Sequence, residues 1–340
     1  MQTITLKEAR PLILDTIQAG LVPMLHSPPG VGKSDLTKSI AKEHNLLLID
    51  LRLAQMDPTD MNGFPLLNKD TMRSDYAPPM TIPLEGDPIP AGYSGWLVFL
   101  DEINAASNAV QAAAYKVILD KQIGSHNIHK NVAMIAAGNL ATDKAIVNRP
   151  STALQSRMVH YSVAAENSAW LEWAIQNDID YRVMGFLRFR PELLHKFDPN
   201  HDDFTFAAPR TWEFLSLQIK SMKEITVDKI PLLCGTVGEG NGIEFKSFTD
   251  IYAELPTKEQ IIRDPANCPM PKEPSASYAI TSLLSHIAND SNITSLMTYV
   301  NRLPVEFQIV TLAGILKEDR GLLTNPAVST WIAANSREFL

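Results

Sequence analysis

"HSPPGVGKSDL" (residues 26–36) is the stretch from which the rest of the chain can be read. Gly30, Gly32, Lys33 and Ser34 stand where the phosphate-binding pattern G-x-x-x-x-G-K-[ST] requires them, and Ser27 takes the place of its first glycine. A triphosphate needs several backbone N–H groups turned inward, and only small or glycine residues let the main chain curl so tightly. Ser27 is small but carries a Cβ, so it costs more than glycine in a strained backbone. The spacing assigns Ser27, Pro28, Pro29, Gly30, Val31, Gly32, Lys33, Ser34 and Asp35 to a loop around a bound nucleotide. Lys33 would neutralise the β- and γ-phosphates, and the Ser34 hydroxyl would reach Mg²⁺ at a helix N-terminus. An ordinary proline–glycine turn is the alternative. The flanks favour the loop, because "LVPMLH" (21–26) reads as a buried strand and "KSDLTKSIAKEH" (33–44) as a helix.

Outward from the loop, strands and helices alternate as in a parallel sheet with helical crossovers. "NLLLIDLRL" (45–53), "GWLVFLDEI" (95–103) and "NVAMIAAGNL" (131–140) are further strands, with the near-continuous apolar runs of strands covered on both faces. "AASNAVQAAAYKVILDKQI" (105–123) is an alanine-rich helix, and "STALQSRMVHYSV" (151–163) a short helix and a closing strand. Residues 57–94 are too many, and too rich in proline and glycine, for a simple βα connection. They read as an insertion. Its Phe64, Pro65, Leu66, Leu67, Tyr76, Pro78, Pro79 and Met80 either pack on their own domain or form a contact surface.

After Val163 the pattern is helical. "NSAWLEWAIQN" (167–177) follows an Asn/Ser cap and puts Trp170, Trp173 and Ala174 on one core face. "AAPRTWEFLSLQIKSM" (207–222) has Pro209 in its first turn. "RDPANCPMPKEPSAS" (263–277) is a semi-rigid connector. Residues 278–340 hold about four short amphipathic helices, the last capped by Asn325 with Pro326 at its first position. The expected domains are 1–163 with the insertion 57–94, a helical lid over 164–262, and the connector with C-terminal helices over 263–340.

The second chemical motif is "WLVFLDEIN" (96–104), an apolar strand ending in two carboxylates. A strand of this kind can deliver Asp101 to Mg²⁺ beside the loop, while Glu102 polarises the attacking water as a general base. A solvated acidic strand end is the bland reading of the tripeptide alone, and its order after a phosphate loop favours the chemical one.

Composition bounds the partners. The 340 residues carry 30 basic and 38 acidic side chains, 30 − 38 = −8, which gives no global attraction to nucleic acid or to an anionic membrane. "MQTITLKEAR" lacks the layout of a signal peptide and the longest apolar runs are too short to span a bilayer, so a soluble cytoplasmic protein is expected. Cys234 and Cys268 make no disulfide framework. His126 and His129 in "GSHNIHKN" have two-ligand spacing but no third partner in the sequence, and read as a solvated hairpin tip.

Taken together, "SPPGVGKS", "LVFLDEIN" and "DLRLAQMDPTDMNGFP" (50–65) resemble the motifs of AAA+ ATPases, and among them of the MoxR type, in the group with an insertion in the second helix. The resemblance covers residues 1 to about 250. It implies a P-loop α/β sheet flanked by helices, an all-α lid, ATP and Mg²⁺ as cofactors, and ATP hydrolysis by a homo-oligomeric, hexameric ring that remodels or activates a protein partner. Many MoxR-type proteins work with a separate partner that carries a von Willebrand A domain; no D-x-S-x-S signature occurs in this chain, so any such module would be supplied by another protein. Asn139 in "AAGNL" resembles the residue that touches the attacking water or γ-phosphate, although an asparagine after glycine also forms turns. Arg157 in "ALQSRMVHY" resembles the arginine finger sent to a neighbouring subunit, with Arg149 as its rival. Arg210 in "AAPRTWE" resembles the lid arginine that reaches the γ-phosphate, against a plain surface arginine. Two other classes fit a phosphate loop: a small-molecule kinase, which needs no general base beside its metal carboxylate, and a slow nucleotide-gated binding module.

Overall fold

The apolar runs assemble, in the computed structural model of the protein, into a central sheet and a helical unit. The structure describes residues 2–70, 72–140, 156–198 and 203–335. Arg149 and residues 151–155 of the expected short helix lie outside them. The described residues divide into two compact units, one up to Ala165 together with Asp198 and the other from Glu166 onward.

In the first unit the strands are β1 (Thr3–Thr5), β2 (Pro23–His26), β3 (Leu46–Arg52), the hairpin β4 (Phe64–Asn68) and β5 (Arg73–Ala77), then β6 (Gly95–Asp101), the small hairpin β7 (Gln122–Ile123) and β8 (His126–Asn127), β9 (Val132–Gly138) and β10 (Val159–Ala164). Six of them form one sheet in the order β1-β10-β2-β9-β6-β3. Every pair in it is parallel. All strand C-termini therefore lie along one edge, where helices and loops leave the sheet.

Four helices belong to this unit among the described residues: α1 (Leu6–Gln18), α2 (Lys33–Glu43), α3 (Pro58–Asn62) and α4 (Asn108–Leu119). The period-2 alternation of the strands sorts the core into two layers. On one face Met24, Val98, Leu100, Met134 and Ala136 meet Val110, Ala114 and Val117 of α4. On the other, Leu25, Leu97, Phe99, Ile135 and Ala137 meet Ala9 and Ile13 of α1 and Ile40 and Ala41 of α2. Each fully buried Leu, Ile, Val, Phe or Met contributes about 1.5–3 kcal/mol over exposure. This explains why β2, β6 and β9 read as unbroken apolar runs. The sheet ends sooner than the apolar reading suggests: β6 stops at Asp101 and β9 at Gly138, where the chain turns into the candidate site.

Two elements were not foreseen. β1 lies on the outer side of β10, and α1 starts in a capping box in which Thr5 Oγ1 accepts the Glu8 N–H at 3.1 Å and Glu8 accepts the Thr5 N–H at 2.8 Å. The insertion 57–94 also has structure of its own, α3 and the β4–β5 hairpin. Met61 and Ile82 are buried, but Phe64, Leu66, Leu67, Met72, Tyr76 and Met80 are exposed, Met80 fully.

The second unit is helical: α5 (Asn167–Gln176), α6 (Tyr181–Phe189), α7 (Pro209–Ile219), α8 (Ile230–Val237), α9 (Glu239–Glu254), α10 (Lys258–Arg263), α11 (Pro274–Ile287), α12 (Ile293–Val300), α13 (Val305–Glu318) and α14 (Pro326–Ala334). The cap of α5 is Glu166, whose carboxylate accepts the Ala169 N–H at 3.1 Å, and not the expected Asn/Ser pair. The longer carboxylate reaches the third amide from one residue further out. Asn325 caps α14 through Ala327 N–H at 3.0 Å, with Pro326 in the first turn.

Phe186 of α6 packs with Trp212, Phe245 and Phe248. On the other side, α6 and α13 both pack on α11, a helix rich in small polar residues. The approach is close: a Cβ on Gly185 of α6 would come within 2.6 Å of Tyr252 Oη and 3.0 Å of Ser282 Oγ. The proline-rich stretch is tied down by Tyr299 Oη donating to the Pro269 carbonyl at 2.7 Å and Arg302 Nη1 to the Pro265 carbonyl at 2.7 Å. Helices on both sides of that stretch thus share one unit.

Candidate nucleotide site

β2 delivers His26 to the C-terminal edge, and the chain then curls through Gly30 (φ 79°) and Gly32 (φ 108°) into α2. Left-handed backbone at these two positions is what glycine permits without a steric cost. Val31 between them is buried in the core layer shared by α1 and α2 and anchors the loop. Gly32 is the N-cap of α2 and, among the described residues, no side chain caps that helix. Its first turn is thus arranged for an anion. Ser34 lies in this first turn, and Asp35 is exposed and paired with Lys38 at 3.5 Å.

Lys33 is 8% exposed. Its Nζ donates to Ser27 Oγ at 2.8 Å, to the Ser27 carbonyl at 3.2 Å and to Asn139 Oδ1 at 3.5 Å. The serine that replaces the first glycine of the pattern therefore serves as a hydroxyl partner for the loop lysine. It is itself fully buried, and its hydroxyl donates to the Pro28 carbonyl at 2.9 Å.

Two strands away stands Asp101, at the end of β6, with Asn139 just past the end of the intervening β9. Two strand spacings separate the phosphate loop from the carboxylates by about 10 Å. That gap suits the end of a triphosphate, a cation and a water, with Asn139 in the middle. One Asp101 oxygen accepts the Glu102 N–H at 2.8 Å, which leaves the carboxylate further acceptor sites for a cation. Glu102 has φ 55°, a left-handed backbone uncommon for a residue with a Cβ, so its side chain leaves the pleat instead of continuing it. The donor set, a hydroxyl and a carboxylate beside uncapped helix amides, fits Mg²⁺ with a phosphate chain. Among the described residues no group of three or more His, Cys, Asp and Glu gathers as a metal site.

Several parts of this site were not legible beforehand. Asn104, in the turn after Glu102, is one. A histidine pair is another: His26 Nε2 and His160 Nδ1 are 2.8 Å apart, with the rings stacked. Burial, then the neighbouring His160 and Lys33, push the His26 imidazole down to about 4, so it is neutral at neutral pH and adds no charge beside Lys33. On the far flank of β6, a cavity of about 450 Å³ is lined by Asp50, Arg52, Gln55, Asp60 and Pro79, among others. It joins the insertion to β3, whose Arg52 stands in register with Asp101. Burial, followed by Asp101, holds the Asp50 carboxyl above its usual range.

The remaining candidates lie elsewhere. Arg157 is exposed and stands two residues before β10, hence at the N-terminal edge of the sheet, opposite Lys33, Asp101 and Asn139. Arg210 is exposed in the first turn of α7, in the second unit. His129 accepts the Asn131 N–H at 3.0 Å and packs edge-on against Trp96. No helix among the described residues is long and apolar enough to cross a membrane.

The phosphate loop on a central strand, the β10-β2-β9-β6-β3 order around it and the all-α unit that follows define the P-loop AAA+ fold. No protein-family model matches the sequence, and no curated protein matches it. Among solved structures the chain is similar to a candidate ATPase of Cytophaga hutchinsonii, at 12% identity and a TM-score of 0.35 over 99% of this chain and 90% of that one. It is also similar to RuvB of Thermotoga maritima, a Holliday junction branch migration motor, at 16% identity and a TM-score of 0.39 over 77% and 75% of the two chains. Both likenesses are distant, and the fold assignment rests on the strand order and the loop.

Proposed function

We propose that this chain hydrolyses ATP as a MoxR-type AAA+ ATPase, working in a hexameric ring that remodels or activates a protein partner. The observation that carries the reading is the gathering of the Lys33 loop, Asn139 and the Asp101–Glu102 turn at the same ends of three successive parallel strands. Bound MgATP supplies the phosphoryl group and a cation that neutralises its charge. Lys33 and the first-turn amides of α2 bind the phosphates. Ser34 and Asp101 would hold the cation. Glu102 takes the proton of the attacking water, and the Asn139 carboxamide orients that water or the γ-phosphate. A kinase would position an acceptor hydroxyl in place of the water and would need no Glu102.

The placement of Arg157 on the opposite edge of the sheet supports service to a neighbouring subunit's site. Arg210 would act from the lid. Arg157→Ala is then expected to bind ATP and hydrolyse it poorly, by about 10³-fold or more if it stabilises transition-state charge. Mixing it with Glu102→Gln restores turnover at interfaces that hold one intact Glu102 and one intact Arg157. Turnover per chain also falls on dilution. No recovery at any mixing ratio in rings that exchange subunits, together with dilution-independent turnover, would count against the shared site and for a kinase or a slow binding module.

The output leaves through the insertion. Phe64, Leu66, Leu67, Tyr76 and Met80 are exposed, and the cavity at the insertion's root abuts the strand next to Asp101. A partner carrying a von Willebrand A domain is the occupant that the MoxR resemblance suggests. Replacing residues 66–80 with a short Gly/Ser linker should leave basal ATPase and assembly intact and abolish partner-stimulated turnover. Full stimulation of the shortened protein would move the output surface elsewhere.

A further inference from the structure

The residues after Asp101 turn back toward the phosphate loop. In that turn the Glu102 carbonyl accepts the Ala105 N–H at 2.9 Å, and the Ile103 N–H donates to the Ala137 carbonyl at 3.0 Å. Asn104 then takes both backbone groups of Asn139. Its Nδ2 donates to the Asn139 carbonyl at 2.6 Å and its Oδ1 accepts the Asn139 N–H at 3.1 Å. Asn104 is 3% exposed, so both bonds are shielded from solvent. The neighbouring Gly138 allows the approach, since a Cβ there would lie well inside contact distance of Asn104 Oδ1. At the far end, Asn139 Oδ1 receives Lys33 Nζ at 3.5 Å.

From these contacts we infer that Asn104 is a positioning residue of the nucleotide site, a clamp that fixes the Asn139 carboxamide both toward Lys33 and relative to the Glu102 turn. Two bonds to one residue fix orientation as well as distance, which a single bond would not. The backbone of Asn139 extends just past the sheet, where no ladder partner holds it. With the clamp gone, its carboxamide is free to swing away from the γ-phosphate end while the phosphate loop itself is untouched. The effect on turnover rests on the ATPase reading above; the effect on nucleotide discrimination does not.

The test compares MgATP and MgADP affinities, and steady-state turnover, for the parent, Asn104→Ala and Asn104→Asp. ADP affinity should stay within about twofold, because its contacts lie on the loop and the helix N-terminus. ATP affinity relative to ADP should drop by about fivefold or more, the size of one lost hydrogen bond. The kcat should fall by about 10- to 100-fold with a smaller change in KM, the split expected of a group that acts in the transition state. Asn104→Asp keeps the acceptor for the Asn139 N–H and loses the donor, so it should fall in the same direction and also decides the matter if the alanine variant does not fold. Gly138→Ala should displace the same carboxamide, and combining it with Asn104→Ala should cost less than the sum of the two. A folded variant with an unchanged ATP-to-ADP ratio and unchanged kcat overturns the role of Asn104, as does full additivity with Gly138→Ala. A parent that binds but does not hydrolyse ATP overturns the ATPase reading, and the affinity ratio then still decides for or against the clamp.

Discussion

Glu102→Gln is expected to bind ATP like the parent and to turn it over about 10²- to 10⁴-fold more slowly, the usual worth of a positioned general base. The amide is isosteric and keeps the left-handed turn at φ 55°, so the backbone that carries the Asn104 clamp is preserved. Only the proton acceptor is lost. Lys33→Ala should behave differently. It removes the cation held by Ser27 and Asn139, and the charge-assisted bonds it would make to phosphate are worth about 1.5–3 kcal/mol each, so nucleotide affinity should fall by about 10- to 150-fold. Equilibrium binding of a fluorescent ATP analogue and phosphate release, measured on the same preparations, separate the two. Parent-like turnover by Glu102→Gln would remove Glu102 from the chemistry.

The second large effect concerns stability. Arg182 and Asp180 form an ion pair at 2.7 Å with both side chains about 95% buried. The guanidinium is engaged through four of its five N–H groups: Nε and Nη2 on the Asp180 carboxylate at 2.9 and 2.7 Å, Nη2 also on the Ile219 carbonyl at 2.8 Å, and Nη1 on the Met222 carbonyl at 2.9 Å. Asp180 also caps α6, accepting the Arg182 N–H at 2.9 Å. Asp180→Ala leaves a buried cation without its counter-charge and removes the cap. The expected loss is about 3–5 kcal/mol for the charge and about 1 kcal/mol for the cap. Asp180→Asn, which keeps an acceptor at the cap, should lose less. Urea unfolding of the three proteins checks this, and an Asp180→Ala midpoint equal to the parent's would mean that the guanidinium reaches water when its partner is gone.

What the sequence revealed and what it hid have physical reasons. The strands β2, β6 and β9 were legible because burial on both faces demands continuous apolar runs, the edge strand β3 because its leucines and isoleucine pack half-buried against the two core layers, and the phosphate loop because its backbone tolerates few residue types. β1 was missed because three residues carry too little periodicity. α1 had a usable signal in "TLKE" (5–8), where threonine and a glutamate three residues on form a capping box. Asn104 and His26 were in the quoted motifs, yet their partners Asn139 and His160 stand 35 and 134 residues away. No local pattern encodes such pairs. Only the sheet order brings them together.

The packing of α11 between α6 and α13 also dictates when the helical unit can form during synthesis. The end of α6 at Phe189 and the start of α11 at Pro274 are 274 − 189 = 85 residues apart. At roughly 5–20 residues per second, α6 emerges about 4–17 s before the helix that covers it. Over that interval Gly185 and the polar Arg188, whose Nη1 finally donates to Ser282 Oγ at 2.9 Å, face solvent or a holding chaperone. The sheet unit has all its described strands by Ala164 and can close first, so a nascent chain that folds in this order carries a finished phosphate loop beside a helical unit still unformed.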